Sequence, residues 1–162
     1  KGLLMPIINK IQGNLLELAK QGKFTAIAHG CNTFGTFGAG IALQIAREFP
    51  EAAKADQIAY ENDTNKLGTY SVAYSNNVLV FNLYTQDTVG WNKIHNAPPV
   101  DYTAIYRAFL KLNTVPILNK PNSILAISYV GAGLAKGDWN IIEQLINLAT
   151  PNIDIILVEY KQ

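Results

Sequence analysis

The segment FTAIAHGC (24–31) constrains this chain more than any other. Its alternate residues are apolar on both parities, so it predicts a strand covered on both faces, as in the centre of a parallel sheet. Such a strand requires a helical layer on either side. The rest of the chain supplies the helices in alternation with further strands. A strand is expected over 5–12, and the turn at Gly13-Asn14 leads into a short helix, LLELAK. A helical pattern over 40–49 is interrupted by Pro50, which starts a second helix at its first position. SVAYS and VLVFNLYT are joined by Asn76-Asn77, and asparagine tolerates positive φ, so a tight hairpin is expected. Asp101 caps a helix over 101–112, SILAISYV (123–130) forms a strand, and WNIIEQLINLA runs from a cap at Asp138 to Pro151. IDIILVEY (153–160) is the last strand. This order predicts a three-layer α/β/α fold with a mixed, mostly parallel sheet, in one domain over 1–162.

Composition narrows the function. Of 162 residues, 49% are apolar and 15% charged, as in an ordinary globular domain, and the net charge is +1. That balance gives no long-range attraction to nucleic acid or membranes, so no stable nucleic-acid binding is expected. No apolar run reaches the roughly 20 residues of a membrane span. KGLLMPIINK shows no clear cleavage site, so no signal peptide is expected. The single cysteine, Cys31, excludes an internal disulfide and fits a cytoplasmic setting. A monomer is expected.

Two loops carry the chemistry. Residues 29–40 read HGCNTFGTFGAG and place Gly35, Gly38 and Gly40 between a strand and a helix. Glycines let main-chain N–H groups approach phosphate oxygens, and a helix start adds its positive end. No lysine follows in the position a nucleoside triphosphatase loop needs. VGAGLAKGDW repeats the arrangement later, with Gly131, Gly133 and Gly137. Ligands of such sheets bind at the carboxyl ends of strands, where both loops fall. The pair would cradle linked phosphates, or a phosphate and a ribose; the plain alternative is two unrelated connectors. His29 ends its strand beside the first loop, open to either a catalytic or a core role. His95 reads as a surface loop residue. Cys31 reads as a buried small hydrophobe, and Trp91 and Trp139 as packing anchors. No cluster has metal-ligand spacing, so neither metal nor cofactor is expected. Tyr160 closes the last strand, where it either stacks on a base or packs the terminus.

Four stretches together resemble a macrodomain, the ADP-ribose-binding fold: QGNLLE, AHGCNTFGTFGAGIALQIAREFP, NLYTQ and VGAGLAKGDW. They span nearly the whole chain. H-x-C-N followed by G-x-x-G-x-G-I-A is most similar to the yeast-type ADP-ribose 1″-phosphate phosphatase branch. The resemblance implies a ligand, ADP-ribose or ADP-ribose 1″-phosphate, and roles for named positions. Gly13 and Asn14 replace the usual Gly-Asp pair that holds adenine, with Asn14 accepting through its amide oxygen. Gly38, Ala39, Gly40, Ile41 and Ala42 would hold the diphosphate and distal ribose. Asn32 would face that ribose, Gly131, Ala132, Gly133 and Leu134 would close over the phosphates, and Tyr160 would stack on adenine. Gln86 stands where glycohydrolases of the wider group carry a lysine, and Ala135 where some carry an aspartate, which argues against lysine-dependent removal of ADP-ribose. His29 matches the branch's functional histidine. Asn32 and an acid, Asp138 or Asp87, are its candidate helpers. The resemblance therefore implies a phosphatase acting on ADP-ribose 1″-phosphate without metal. The alternatives are a non-catalytic reader of ADP-ribose and a glycohydrolase releasing ADP-ribose from DNA or protein.

Overall fold

The computed structural model describes residues 8–62, 65–87, 90–91, 93–94 and 96–161. The first part of the expected opening strand, residues 5–7, and His95 lie outside them. Six strands form one sheet: β1 (Asn9–Gly13), β2 (Ala26–Asn32), β3 (Tyr70–Ser75), β4 (Val78–Gln86), β5 (Leu125–Ile127) and β6 (Ile155–Tyr160). Their spatial order is β1-β6-β5-β2-β4-β3. All neighbours are parallel except the β3–β4 hairpin. The hairpin turns where expected, with Asn76 and Asn77 at φ 49° and 72°. Two consecutive positive φ values match the right-handed twist of the flanking strands.

The apolar pattern explains the layers. On one face Ala26, Ala28, Phe81, Leu83, Leu125 and Ile127 pack against Ile105, Ala108, Phe109, Ile142 and Ile146. These helical residues belong to α4 (Tyr102–Leu112) and α5 (Trp139–Ala149). On the other face Ile27, Val78, Val80 and Val158 meet Leu15, Leu16, Ile45, Phe49 and Ala52. Those come from α1 (Leu15–Lys20), α2 (Gly40–Glu48) and α3 (Pro50–Asn62), apart from Phe49 at the α2 C-cap. Each fully buried large apolar side chain contributes about 1.5–3 kcal/mol relative to exposure. The three-layer reading of the sequence therefore holds, with β2 buried on both sides in mid-sheet.

One element differs. The strand expected over 123–130 is regular only from Leu125 to Ile127. Past Ile127 the main chain turns on itself, Val130 N–H donating to the Ser128 carbonyl at 2.8 Å. That turn directs Ser128, Tyr129 and Val130 out of the sheet toward the strand ends.

Candidate functional site

The carboxyl ends of β2, β4, β5 and β6 open onto a cleft of about 790 Å³, within the size range of small-molecule sites. Asn32, Gln86, Ser128 and Tyr160 stand at these ends, and Gly13 and Asn14 close the cleft beyond β1. A register shift between Cys31 and Asn32 frees the last residue of β2 from the ladder. The strand then runs into the first glycine-rich loop.

That loop is organised by Asn32. Its Oδ1 accepts from Phe34 N–H at 2.9 Å, and its Nδ2 donates to Thr36 Oγ1 at 2.9 Å. Side-chain pairing of this kind stands in for backbone turn bonds. Thr33 Oγ1 donates to Asp87 Oδ1 at 2.5 Å, tying the loop to the end of β4. Gly40 sits at φ 60°, a conformation that disfavours side chains. A Cβ placed there would stand 3.2 Å from Leu134 Cδ1, so the early and late loops touch across the cleft.

Helix caps set the polarity of the site. Asn14, Asp101 and Asp138 each accept a main-chain N–H at the starts of α1, α4 and α5. At α2 the cap is Ala39, whose side chain makes no such bond. The first N–H groups of α2 are thus left for a ligand, and Gly40, Ile41 and Ala42 line the cleft. Unsatisfied N–H groups with the helix dipole behind them favour an anion. The described lining contains no Asp, Glu, Lys, Arg or His. Negative charge in this cleft would therefore meet main-chain dipoles and neutral side chains.

The expected residues divide cleanly. Gly13, Asn14, Asn32, Gly38, Ala39, Gly40, Ile41, Ala42, Gln86, Gly131, Gly133, Leu134 and Tyr160 line one cleft. The Asn14 amide oxygen already accepts Glu17 N–H at 3.1 Å as a helix cap. Three of the expected residues stand outside this lining. Ala132 lies outside the lining, packed against the α4/α5 core. Asp138 also lies outside it, one carboxylate oxygen accepting the Asn140 N–H at 2.9 Å as a helix cap. His29 is only 1% exposed and lies outside the lining. Cys31, which does line the cleft, lies 3.6–3.7 Å from its ring nitrogens.

His29 belongs to a buried polar layer under α2 and α3. Its Nε2 lies 2.7 Å from Asn82 Oδ1. The Asn82 amide donates to the Ala52 carbonyl and to Ser71 Oγ, each at 2.9 Å, so its oxygen is the acceptor and His29 Nε2 carries the proton. Tyr84 donates to Asp56 Oδ1 at 2.7 Å. Lys66 Nζ lies 3.6 Å from Asp56 and 4.2 Å from the centre of the Tyr84 ring. Burial lowers the His29 pKa to about 4, against the raising effect of Asn82. Burial also pushes the Cys31 thiol up, aided by Asp56 and opposed by Lys66. The thiol stays protonated and unreactive at neutral pH.

Sequence reasoning passed over Thr36, Gln44, Thr85, Ser128 and Tyr129, all of which line the cleft. Thr85 and Ser128 offer hydroxyls at strand ends, the position where ligands of such sheets bind. Tyr129 packs edge-on against Trp139 and donates its hydroxyl to Glu159, which fixes its ring at the β6 side. Among the described residues no group of three or more His, Cys, Asp or Glu is placed to hold a metal ion. No described helix is long and apolar enough to cross a membrane.

No family model matches the chain. It is 34% identical over 160 residues to an uncharacterized 17.5 kDa protein of the tk-vs intergenic region of Enterobacteria phage T4, covering 96% of this chain and 97% of that protein. It is 34% identical over 84 residues to an ADP-ribose 1″-phosphate phosphatase of Candida albicans, a match spanning 50% of this chain and 54% of that one. The fold superposes on the macrodomain of Mycobacterium tuberculosis DarG with a TM-score of 0.74 at 23% identity, covering 93% and 96% of the two chains.

Proposed function

We propose that this chain, which has the macrodomain fold, binds ADP-ribose 1″-phosphate and releases its terminal phosphate without a metal. The observation that carries this reading is the meeting of two glycine-rich loops and an uncapped helix start around a cleft whose described lining holds no Asp, Glu, Lys, Arg or His. Phosphoryl transfer is the reaction class that such a site suits. It asks little covalent chemistry of the protein and depends on positioning and on stabilising charge at the transferring group. Main-chain N–H groups of Gly40, Ile41 and Ala42 would stabilise that charge. Asn32 and Thr36 would orient the attacking water. The water oxygen bonds to phosphorus as the bond from phosphorus to the anomeric oxygen breaks, and the proton shed by the water reaches the leaving oxygen through solvent. Even a modest site can produce measurable turnover, because phosphate monoesters react very slowly unaided. The partial likeness to a phosphatase of Candida albicans supports the same substrate.

A second reading, a reader that holds ADP-ribose without turnover, draws on the same cleft. Its support is the lack of any Asp, Glu, Lys, Arg or His in the described lining. Titration calorimetry with ADP-ribose, paired with phosphate release from ADP-ribose 1″-phosphate in the presence of a chelator, separates the two. Binding with release supports the phosphatase. Binding without release supports the reader, and no binding at millimolar ligand overturns both.

A further inference from the structure

We propose that His29 is a positioning residue that fixes the first glycine-rich loop from below through Phe37, and so sets where the loop's main chain meets the ligand. The proposal rests on reading the cleft as an ADP-ribose site. It assigns His29 a role other than the acid–base role its place in the sequence invites.

The geometry runs through three contacts. Asn82 is held by donors to α3 and β3, at Ala52 and Ser71, so its oxygen presents one fixed acceptor to His29 Nε2. The imidazole plane is thereby set by the sheet and a helix, not by the loop. The edge of the same imidazole packs against Phe37, with ring centres 5.2 Å apart and planes at 88°. Phe37 lies between Thr36 and Gly38, which both line the cleft, while Phe37 itself does not. Phe37 thus meets the imidazole while the residues on either side of it meet the cleft. The loop has three glycines within six residues and little stiffness of its own. Its other aromatic, Phe34, is 45% exposed, which leaves Phe37 as the half-buried anchor.

Among the described residues, no titratable group links His29 to the cleft except Cys31. Asn82 of β4 and Phe37 of the loop are neutral, and Cys31, on its own strand, is the one ionisable neighbour in contact. Asp56 of α3, Tyr84 of β4 and Lys66 lie further along the same buried layer, around each other. The ring stays neutral throughout the range in which an acid–base histidine would titrate.

The test is a double-substitution cycle, read in ADP-ribose affinity by calorimetry and in amide hydrogen exchange over residues 33–42. His29→Gln and Phe37→Leu should each weaken binding about tenfold, and the double variant should be no weaker than the worse single one, because both remove one aromatic contact. Exchange should accelerate in the loop and stay unchanged in β6. Wild-type affinity should be flat between pH 5.5 and 8. Additive losses overturn the proposal. So does a His29→Gln protein with normal affinity and loop protection but no turnover, which is the pattern of a general base. If His29→Gln fails to fold, Phe37→Leu decides alone, and normal loop protection in that variant refutes the idea. Failure of the wild-type protein to bind ADP-ribose would sink the functional reading, while the exchange measurement would still judge the loop contact.

Discussion

Acidification gives a direct measure of how deeply His29 is buried. Its imidazole protonates at about 4 in the folded protein, burial outweighing the hydrogen bond it donates to Asn82, against 6.5 for an ordinary histidine. The unfolded chain thus takes up this proton near pH 6.5, and the folded chain only near pH 4. The stability that the neutral ring contributes is whole above pH 6.5 and is lost progressively as pH falls to about 4. The gap between those two values corresponds to about 3 kcal/mol. That is a large share of a domain stability of about 5–15 kcal/mol. Urea denaturation at pH 7.5, 6, 5 and 4.2 should therefore show the wild-type protein losing about 3 kcal/mol more than His29→Gln over that range. Glu51 and Glu159, whose acid forms are disfavoured by Ser75 and Tyr129 respectively, also weaken the fold on acidification. Their share is common to both proteins and cancels in the difference. Parallel stability curves for the two proteins would show that the ring takes up its proton in the fold as freely as in water, and would refute the reasoning.

Three further perturbations follow from the packing. Gly137→Ala should cost about 1–3 kcal/mol in urea denaturation, because the new methyl would lie 2.5 Å from the Gly131 carbonyl oxygen and 2.8 Å from Ile142 Cδ1, and main chain yields poorly. Gly38→Val should leave stability within about 0.5 kcal/mol, since a Cβ at Gly38 meets nothing within 4 Å. Calorimetry should nevertheless show ADP-ribose affinity falling by roughly tenfold or more, as the side chain occupies the cleft. Lys66→Met should destabilise by about 3 kcal/mol by stranding the buried Asp56 carboxylate, and Asp56→Asn added to it should restore most of the loss in the same denaturation assay.

The layers and the cleft were legible because local chemistry and global fold agree there. Two-sided apolar alternation in 24–31 can serve only a central strand, and Asn76-Asn77 can serve only a tight turn at that spacing. Glycines placed between strand and helix leave main chain exposed at the one edge where parallel strands end together. The buried polar layer sent no such signal. Asp56 sits on a helix that also carries Glu51, Lys54, Gln57 and Glu61, and Lys66 stands outside any periodic segment, so each reads as solvated. Their burial, at 2% exposure each, arises only when α3 folds down over β3 and β4.

His29 shows where one-dimensional reasoning about a site loses depth rather than direction. Strand parity placed it on one face with Ile27 and Cys31, and the structure puts all three under α2 and α3. The expected strand stopped at Cys31, which left His29 near the ligand edge. The actual strand continues through Asn32 before the loop begins. Three residues of strand at about 3.3 Å each set the histidine roughly 10 Å behind the edge. Over that distance the side chain passes from a surface that meets substrate to one that meets Asn82. A histidine at the rim would be free to exchange protons with a ligand. The same residue three positions back has one nitrogen committed and its charge excluded by burial, and what remains is the edge-on contact between aromatic rings. What that edge touches is Phe37, so the path from His29 to function runs through the shape of the loop.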